Sequence, residues 1–173
     1  YSKNHIGISK VSAMENTIRN YSMYDRTSTL AQRFDENFTS DIMMTGLDNM
    51  EGRKECYYAW KRHVEHKQSQ EDKTKCLFID GRLTANQLQV LCMTGLDTYY
   101  MQQYEERFLF DDDAAEHLTC SFKQTAFMAN MIASIMVNLF VNFCANECNT
   151  NLTRPLPFFT EYYSDFMLLN QEK

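Results

Sequence analysis

Hydrophobic and polar residues follow two different periods along this chain, which predicts a mixture of helices and strands. Helical spacing of the apolar residues predicts helices over 6–20, 50–66 and 121–148. Short apolar or alternating segments predict strands, and they are 27–34, 40–47, 76–79, 86–93 and two within 156–169. The tyrosine-rich segment 99–110 fits either structure. Helices and strands alternate first and strands cluster later, which predicts an α/β domain with a mixed sheet and antiparallel C-terminal strands.

Local signals mark where these elements begin and end. Ser9 or Ser12 can cap the first helix, because a serine side chain accepts hydrogen bonds from the free N–H groups there. The polar stretch 66–75 predicts an exposed loop. The pair Asp80-Gly81 predicts a turn that ends the strand 76–79, and Asp111–Asp113 predicts an acidic loop.

The last predicted helix contains an uncharged stretch long enough to cross a membrane, residues 124–146. A polar stripe along the stretch favours a core helix of a folded domain, which hydrogen-bonds on one side and is buried on the others. The stripe consists of Asn130, Ser134, Asn138, Asn142 and Asn146. A membrane span is the second interpretation, and flanking basic residues are too sparse to support it.

Length, charge and composition exclude several classes of protein. The 173 residues suffice for a single domain, 1–173. A net charge of −6 without any basic run argues against a nucleic-acid-binding protein. The six cysteines include no CxxC pair, which predicts reduced thiols in a cytoplasmic protein without structural zinc. The five glycines are too widely spaced for a glycine-rich phosphate loop.

Three residues occupy positions that suit chemistry. Asp48 follows a predicted strand and precedes a helix, where a carboxylate can hold Mg²⁺ beside phosphates, or can simply cap the helix. Lys10, near the start of the first helix, suits an anionic ligand or is a solvated lysine. Cys120 precedes the long helix, where the helix dipole favours a thiolate nucleophile, or it is a buried or capping residue, as most free cysteines are.

Several short motifs, taken in order, resemble one known family. The segments that carry the resemblance are YSKNHIGISKV (1–11), SDIMMTGLDN (40–49) with Arg53 after it, FIDG (78–81) with QLQV (87–90), CS (120–121) and RPLPF (154–158). In this order they are similar to the later two-thirds of a ThiF/MoeB/HesA family adenylating domain, the fold shared with ubiquitin-activating enzymes. The resemblance implies a Rossmann-like ThiF-type domain.

The same resemblance implies an activity and its residues. An adenylyltransferase of this family would use ATP and Mg²⁺ to activate the C-terminal carboxylate of a ubiquitin-like or sulfur-carrier protein. Lys10 would contact the ATP phosphates and Asp48 would hold Mg²⁺. Asn49 and Arg53 would support that site, and Cys120 would accept the activated carboxyl group as a thioester. The family habit of dimerising implies a homodimer.

The chain departs from the family pattern in ways that lead to an alternative function. The opening βαβ unit with its glycine-rich loop has no counterpart here, and neither do the two zinc-binding CxxC pairs. The alternative is a catalytically incomplete domain, an interaction module that pairs with a partner chain. The aromatic residues Tyr99, Tyr100, Tyr104 and Phe158-Phe159 predict an exposed interface for such a module.

Overall fold

The computed structural model describes residues 6–110, 125–149 and 153–172. The chain divides into two compact units, Tyr1–Asp35 and Glu36–Lys173. In the first unit the helix α1 (Lys10–Ser22) is capped by Ser9, whose side chain accepts a hydrogen bond from the Ser12 N–H. The prediction of Ser9 as a cap is therefore confirmed. The strand predicted over 27–34 is wrong, since that segment has no regular secondary structure.

The second unit contains a five-stranded sheet and four helices in its described part. Its strands are β1 (Ile42–Thr45), β2 (Leu77–Leu83), β3 (Gln87–Thr94), β4 (Phe159–Tyr163) and β5 (Leu168–Glu172). Its helices are α2 (Met50–Glu65), α3 (Gln70–Thr74), α4 (Thr98–Arg107) and α5 (Ala126–Cys148). The long helices α2 and α5 lie where the apolar periodicity predicts them, and 99–110 is helical rather than extended.

The sheet is mixed, and its strand order follows the sequence from β1 to β5. Only β1 and β2 run parallel, joined by α2 and α3, while β2, β3, β4 and β5 form an antiparallel meander. A Rossmann-like sheet is instead built from successive parallel strand–helix–strand units. The prediction of a Rossmann-like, ThiF-type fold is therefore wrong for the described residues, which form a mixed sheet flanked by helices.

One face of the sheet, here called the aromatic face, packs against α2 and α4. Its buried cluster consists of Tyr57, Trp60, Val64, Cys76, Phe78, Leu91, Met93, Met101, Tyr104, Phe108 and Phe158. The prediction that Cys56, Tyr57, Trp60 and Val64 share the buried side of α2 is confirmed. The ring centres of Tyr57, Phe78 and Tyr104 lie within 5.8 Å of one another, and the rings meet at tilted or edge-to-face angles, which aromatic pairs favour.

The opposite face, here called the α5 face, packs against α5. Its buried cluster consists of Leu77, Ile79, Leu88, Val90, Cys92, Met128, Ile132, Leu139 and Phe143. Gly81 allows the close approach, because a Cβ there would lie 2.6 Å from Met136 Sδ and 3.2 Å from Ile132 Cδ1. The side chains of Val90 and Leu91 point to opposite faces, and both are buried because helices cover both faces of β3.

Two predicted boundaries in the middle of the chain are wrong. The pair Asp80-Gly81 does not turn, because β2 continues through it to Leu83 and pairs with β3 along that length. The polar stretch 66–75 contains the short helix α3, whose first turn is capped by Ser69. The acidic loop predicted at Asp111–Asp113 lies outside the described residues.

Candidate functional site

The turn between β1 and α2 brings together three of the residues that the sequence singles out. Asn49 is the cap of α2, and its side-chain oxygen accepts the Gly52 N–H at 2.7 Å. Its amide nitrogen donates to Asp48 Oδ1 at 3.1 Å. Asp48 is exposed, so the helix cap is Asn49 rather than Asp48. Arg53, one turn into α2, is buried beneath them.

Behind this turn lies a buried charge network centred on Asp80, a fully buried residue of β2. Its Oδ1 accepts hydrogen bonds from Arg53 and from Thr45 Oγ1, the latter at 2.9 Å. Its Oδ2 accepts from Arg82 Nε at 2.8 Å and from the Tyr104 hydroxyl at 3.0 Å. Burial and then the nearby Asp80 carboxylate raise the pKa of Tyr104, so that its phenol stays protonated and donates.

The arginines of this network are occupied by the protein itself. Arg53 also donates to the backbone oxygens of Leu47 and Gly81, so it fixes the turn to the sheet. Arg82 donates to the Phe108 carbonyl at 2.9 Å, and its guanidinium lies 5.7 Å from the Tyr104 ring centre. A carboxylate with four donors and arginines with backbone acceptors form a satisfied structural unit. Asp48 therefore remains the solvent-accessible carboxylate of the turn between β1 and α2.

The other two predicted site residues do not belong to this turn. Lys10 is the first residue of α1, in the first compact unit, and it is exposed. Cys120 lies outside the described residues. Within the described part of the chain no group of three or more His, Cys, Asp or Glu side chains could hold a metal ion. The roles predicted for Lys10, Asp48, Asn49, Arg53 and Cys120, and the binding of ATP and Mg²⁺, stay predictions.

A second polar cluster joins the start of β1 to the end of α2. Asp41 Oδ1 lies 2.8 Å from His63 Nε2 and 2.5 Å from Lys67 Nζ. Hydrogen bonds from Lys67 and then His63 hold the pKa of Asp41 below its usual value. The Cys76 thiol donates to the same carboxylate at 3.8 Å. Burial raises the pKa of Cys76 to about 11, so its thiol stays protonated and is a poor nucleophile.

The outward side of α5 is an exposed surface of unusual composition. Helical residues spaced alternately three and four apart lie on it, opposite the residues that pack on the sheet. We call this row the outer seam, and it consists of Phe127, Asn130, Ser134, Val137 and Val141. All five residues are exposed, and Phe127 and Val137 keep 55% and 54% of their accessible surface. The outer seam contains no charged residue.

The polar stripe makes different contacts at the two ends of α5. Near the C-terminal end of the helix, Asn142 donates to the Pro155 carbonyl at 3.0 Å, and Asn146 exchanges two hydrogen bonds with the backbone of Arg154. These bonds attach the segment that leads into β4. Asn130, in the other half, is exposed on the outer seam. Hence Asn142 and Asn146 hold the segment before β4 in place, whereas Asn130 at the other end faces outward.

The aromatic residues predicted to form an interface lie mostly in the core. Tyr104 and Phe158 are almost fully buried on the aromatic face, and Tyr100 stacks on Phe158 at 4.6 Å. Phe159 packs against the same cluster. Tyr99 alone of these residues is largely exposed. That predicted interface is therefore wrong, because α4 turns Tyr100 and Tyr104 toward the sheet.

Comparison with known proteins gives a likeness of fold. No family model matches the chain, and no curated protein sequence matches it. A solved structure that does match is the crystal structure of selenomethionine PaaA, with a TM-score of 0.65 and 12% sequence identity. The match covers 100% of this chain and 57% of PaaA, so the chain spans less than two thirds of that protein. At this identity the likeness concerns the fold alone.

These findings correct the family assignment. The identification of the chain as a ThiF/MoeB/HesA family adenylating domain is withdrawn, because no family model matches, the structural match is to PaaA, and the described sheet is not Rossmann-like. The assignment to the ThiF-type adenylyltransferases falls with it. The predicted ubiquitin-like or sulfur-carrier partner, the homodimer and the cytoplasmic location are not tested by these findings and stay predictions.

Two features of the site escaped the sequence analysis, although each has a signal. Asp80 is an acidic residue between the apolar run CLFI and Arg82, and an acid so placed indicates a buried ion pair. The outer seam has a three-and-four spacing typical of helix pairing, but the apolar residues on all sides of α5 conceal it. Only the burial of side chains in the folded structure distinguishes the sheet-facing side of α5 from its exposed side.

Proposed function

We propose that this protein is an interaction module that binds a helix of a partner protein through the outer seam of α5. One observation carries the proposal: α5 is a 23-residue helix with a single charged residue, Glu147, and its outward side remains exposed. A solvent-facing helix normally carries charged residues on the side that water contacts. Large apolar residues exposed along such an uncharged row are typical of a protein or membrane contact surface.

The composition of the outer seam fits a helical partner. Small residues flank it and allow two helix axes to approach closely, namely Ala126, Ala129 and Ala133. Phe127, Val137 and Val141 supply the apolar surface that association would remove from water. The amide of Asn130 and the hydroxyl of Ser134 can fix the alignment of such a pair, since buried polar groups need matching partners.

A membrane is the other environment that α5 fits by length and composition, and the packing argues against it. Of its most apolar 18-residue window only 22% is buried, but that part packs on the sheet through Met128, Ile132 and Leu139. A spanning helix would have to leave the sheet and open this core. Asn142 and Asn146 also tie α5 to the backbone before β4, which holds it against the folded unit.

The test is the association state of the full chain with and without a charge on the outer seam. We expect the unsubstituted protein to sediment above 20.4 kDa at micromolar concentration, alone or with a co-purifying chain. Val137→Glu should bring it to 20.4 kDa without loss of folding, because a carboxylate in an apolar contact is unfavourable. Val137→Gln, without the charge, should weaken association less.

Thr98→Glu is the matched control, since it adds the same charge at an exposed position on α4 and should leave the mass unchanged. A flotation assay with phosphatidylcholine vesicles tests the membrane alternative. The proposal fails if the unsubstituted protein sediments as a 20.4 kDa monomer and Val137→Glu changes nothing. It also fails if the protein floats with the vesicles and Val137→Glu releases it.

A further inference from the structure

We infer that a half-buried carboxylate on the sheet, Glu161 of β4, is a docking site for a lysine or arginine side chain of a partner protein. Glu161 belongs to a polar cluster formed by side chains of three neighbouring strands. We call it the Glu161 cluster, and it consists of Gln87, Gln89, Glu161, Tyr163 and Asn170. The site is separate from the outer seam, because α5 packs on the opposite face of the sheet.

The Glu161 cluster lies on the aromatic face of the sheet, where the buried aromatic residues give way to polar ones. On β3, Gln87 and Gln89 alternate with residues that face α5. The pairing register places Glu161 opposite Gln89, and Asn170 of β5 opposite Glu161. Residues directly opposite each other on paired strands share a face. Four of the five side chains are half-buried and Asn170 is exposed, so water reaches the cluster.

The hydrogen-bond donors of the cluster converge on one oxygen of the carboxylate. Glu161 Oε1 accepts from Gln87 Nε2 at 2.8 Å and from Gln89 Nε2 at 3.1 Å. It also accepts the Tyr163 hydroxyl at 2.9 Å, whereas Oε2 receives none of these three bonds. Because each glutamine turns its amide nitrogen toward Glu161, its amide oxygen faces away from it. The cluster therefore has acceptors in excess, namely Glu161 Oε2 and the two amide oxygens.

The Glu161 carboxylate is ionised, yet it forms no ion pair with a lysine or arginine of the described part of the chain. Burial opposes its ionisation, but hydrogen bonds, from Gln89 first, outweigh burial and hold the pKa of Glu161 below its usual value. Two arginines on the same face are already paired. Arg82 binds Asp80 at 2.8 Å, and Arg107 binds Glu172 at 3.6 Å. A negative charge that only neutral donors stabilise remains available to an external cation.

Excess acceptors and one negative charge together select a group that only donates. The lysine ammonium offers three donors and the arginine guanidinium five, and neither has an acceptor. A side chain of a partner protein fits better than a free amine, because Leu168 lies beside the cluster. Leu168 is 48% exposed and lies opposite Tyr163 in the register, so it can contact the aliphatic stem of such a side chain. The net charge of −6 also attracts a basic partner to the chain.

Fluorescence anisotropy of a fluorescein-labelled hexalysine peptide tests the site in the full chain. We expect the unsubstituted protein to bind the peptide at low ionic strength, where charge interactions are least screened. Glu161→Gln should weaken binding about tenfold, because it removes the charge and adds a donor to the site. Glu65→Gln is the matched control, since it removes the same charge at an exposed position on α2 and should change binding less than about twofold.

A variant that strengthens binding makes the test independent of any loss of folding in Glu161→Gln. Asn170→Asp places a second carboxylate opposite Glu161 at an exposed position, so it should tighten hexalysine binding several-fold. Thr98→Glu adds the same charge at an exposed position on α4 and should change binding less. Hexalysine acetylated on every side-chain nitrogen has no side-chain charge and should not bind.

Equal weakening by Glu161→Gln and Glu65→Gln would overturn the inference, since the peptide would then respond only to the net charge of the chain. Equal tightening by Asn170→Asp and Thr98→Glu would overturn it for the same reason. So would a failure of the unsubstituted protein to bind hexalysine at low ionic strength, or equal binding of the acetylated peptide. None of these outcomes affects the sedimentation test of the outer seam, so the two proposals fail separately.

Discussion

The aromatic face of the sheet is covered by α2 and α4, whereas in the described part of the chain α5 is the one helix that covers the α5 face. On the aromatic face the side chains of Tyr57, Trp60 and Tyr104 are fully buried, and the polar groups beside them are paired. On the α5 face the inward residues of α5 are equally well packed, but its outward residues remain in water. The helix thus has one apolar side packed on the sheet and an uncharged outward side on which Phe127, Val137 and Val141 are exposed.

The difference shows that the exposed side of a helix is not always a charged one. α2 carries charged residues on its outer side, including Glu51, Glu55 and Arg62, which is typical of a helix that ends at water. α5 is nearly uncharged around its circumference although its outer side is exposed. We therefore attribute stability to the buried contacts of the aromatic face and association to the outer seam of α5. Substitutions can separate these two roles.

The largest expected effect is at the buried charge network of the aromatic face. Asp80→Ala should lower the free energy of unfolding by about 3–5 kcal/mol, because it leaves the buried Arg53 and the partly buried Arg82 without their carboxylate. Asp48→Ala, which removes an exposed carboxylate from the neighbouring turn, should change it by less than about 0.5 kcal/mol. Urea unfolding followed by circular dichroism measures both. Equal effects would contradict a structural role for Asp80.

The next effect separates the two sides of α5. Leu139→Ala, on the inward side, should cost about 2–5 kcal/mol of stability, because it leaves a cavity against the sheet. Val137→Glu, on the outward side, should alter the sedimenting mass and leave the stability of the dissociated chain nearly unchanged. Denaturant unfolding at a concentration low enough for dissociation makes the comparison. A large loss in Val137→Glu under those conditions would mean that the outer seam is part of the core.

A smaller effect compares two glycines that sit beneath helices. Gly95→Ala should cost about 1–3 kcal/mol, since its Cβ would lie 2.4 Å from the Lys73 backbone oxygen, which has little freedom to move. Gly81→Ala should cost less, because its closest neighbour is the flexible side chain of Met136 at 2.6 Å. Thermal unfolding ranks them. The reverse order would show that α5 is held on the sheet more rigidly than the α3–β2 connection.

The sequence predicts elements better than it predicts how they pair. The period of apolar residues is a local property, so α2, α5 and β3 could be placed from it. The direction in which β2 and β3 pair depends on contacts between distant residues, which no local pattern records. This is why short motifs in a familiar order led to a Rossmann-like expectation that the sheet does not meet.

The site shows the same limit at the level of single residues. Asn49 and Asp48 lie in the predicted strand-to-helix turn, because a boundary is a local feature. Asp80 looked like a turn residue, and only the fold supplies Arg53, 27 positions earlier, as its buried partner. Similarly, the α5 sequence is uncharged on both sides, and only the position of the sheet decides which side is packed.

The smallest effect concerns the polar cluster at the start of β1, which lies at the edge of the aromatic face. The pKa of Asp41 is lowered in the folded chain by Lys67 and His63, so its contribution to stability is present above the unfolded pKa of 3.8. It is lost as the pH falls through the lower folded pKa.

The Asp41 carboxylate is 47% exposed, so solvent screening limits this contribution to about 0–1 kcal/mol. Asp41→Asn should therefore lower stability slightly at pH 7, and this difference should shrink as the pH falls below 3.8 and through the lower folded pKa of Asp41. Urea midpoints measured from pH 2.5 to 7 test this, with Asp48→Asn as the control at an exposed carboxylate. A gap between Asp41→Asn and the unsubstituted chain that does not shrink between pH 7 and pH 2.5 would show that the cluster acts through packing rather than charge.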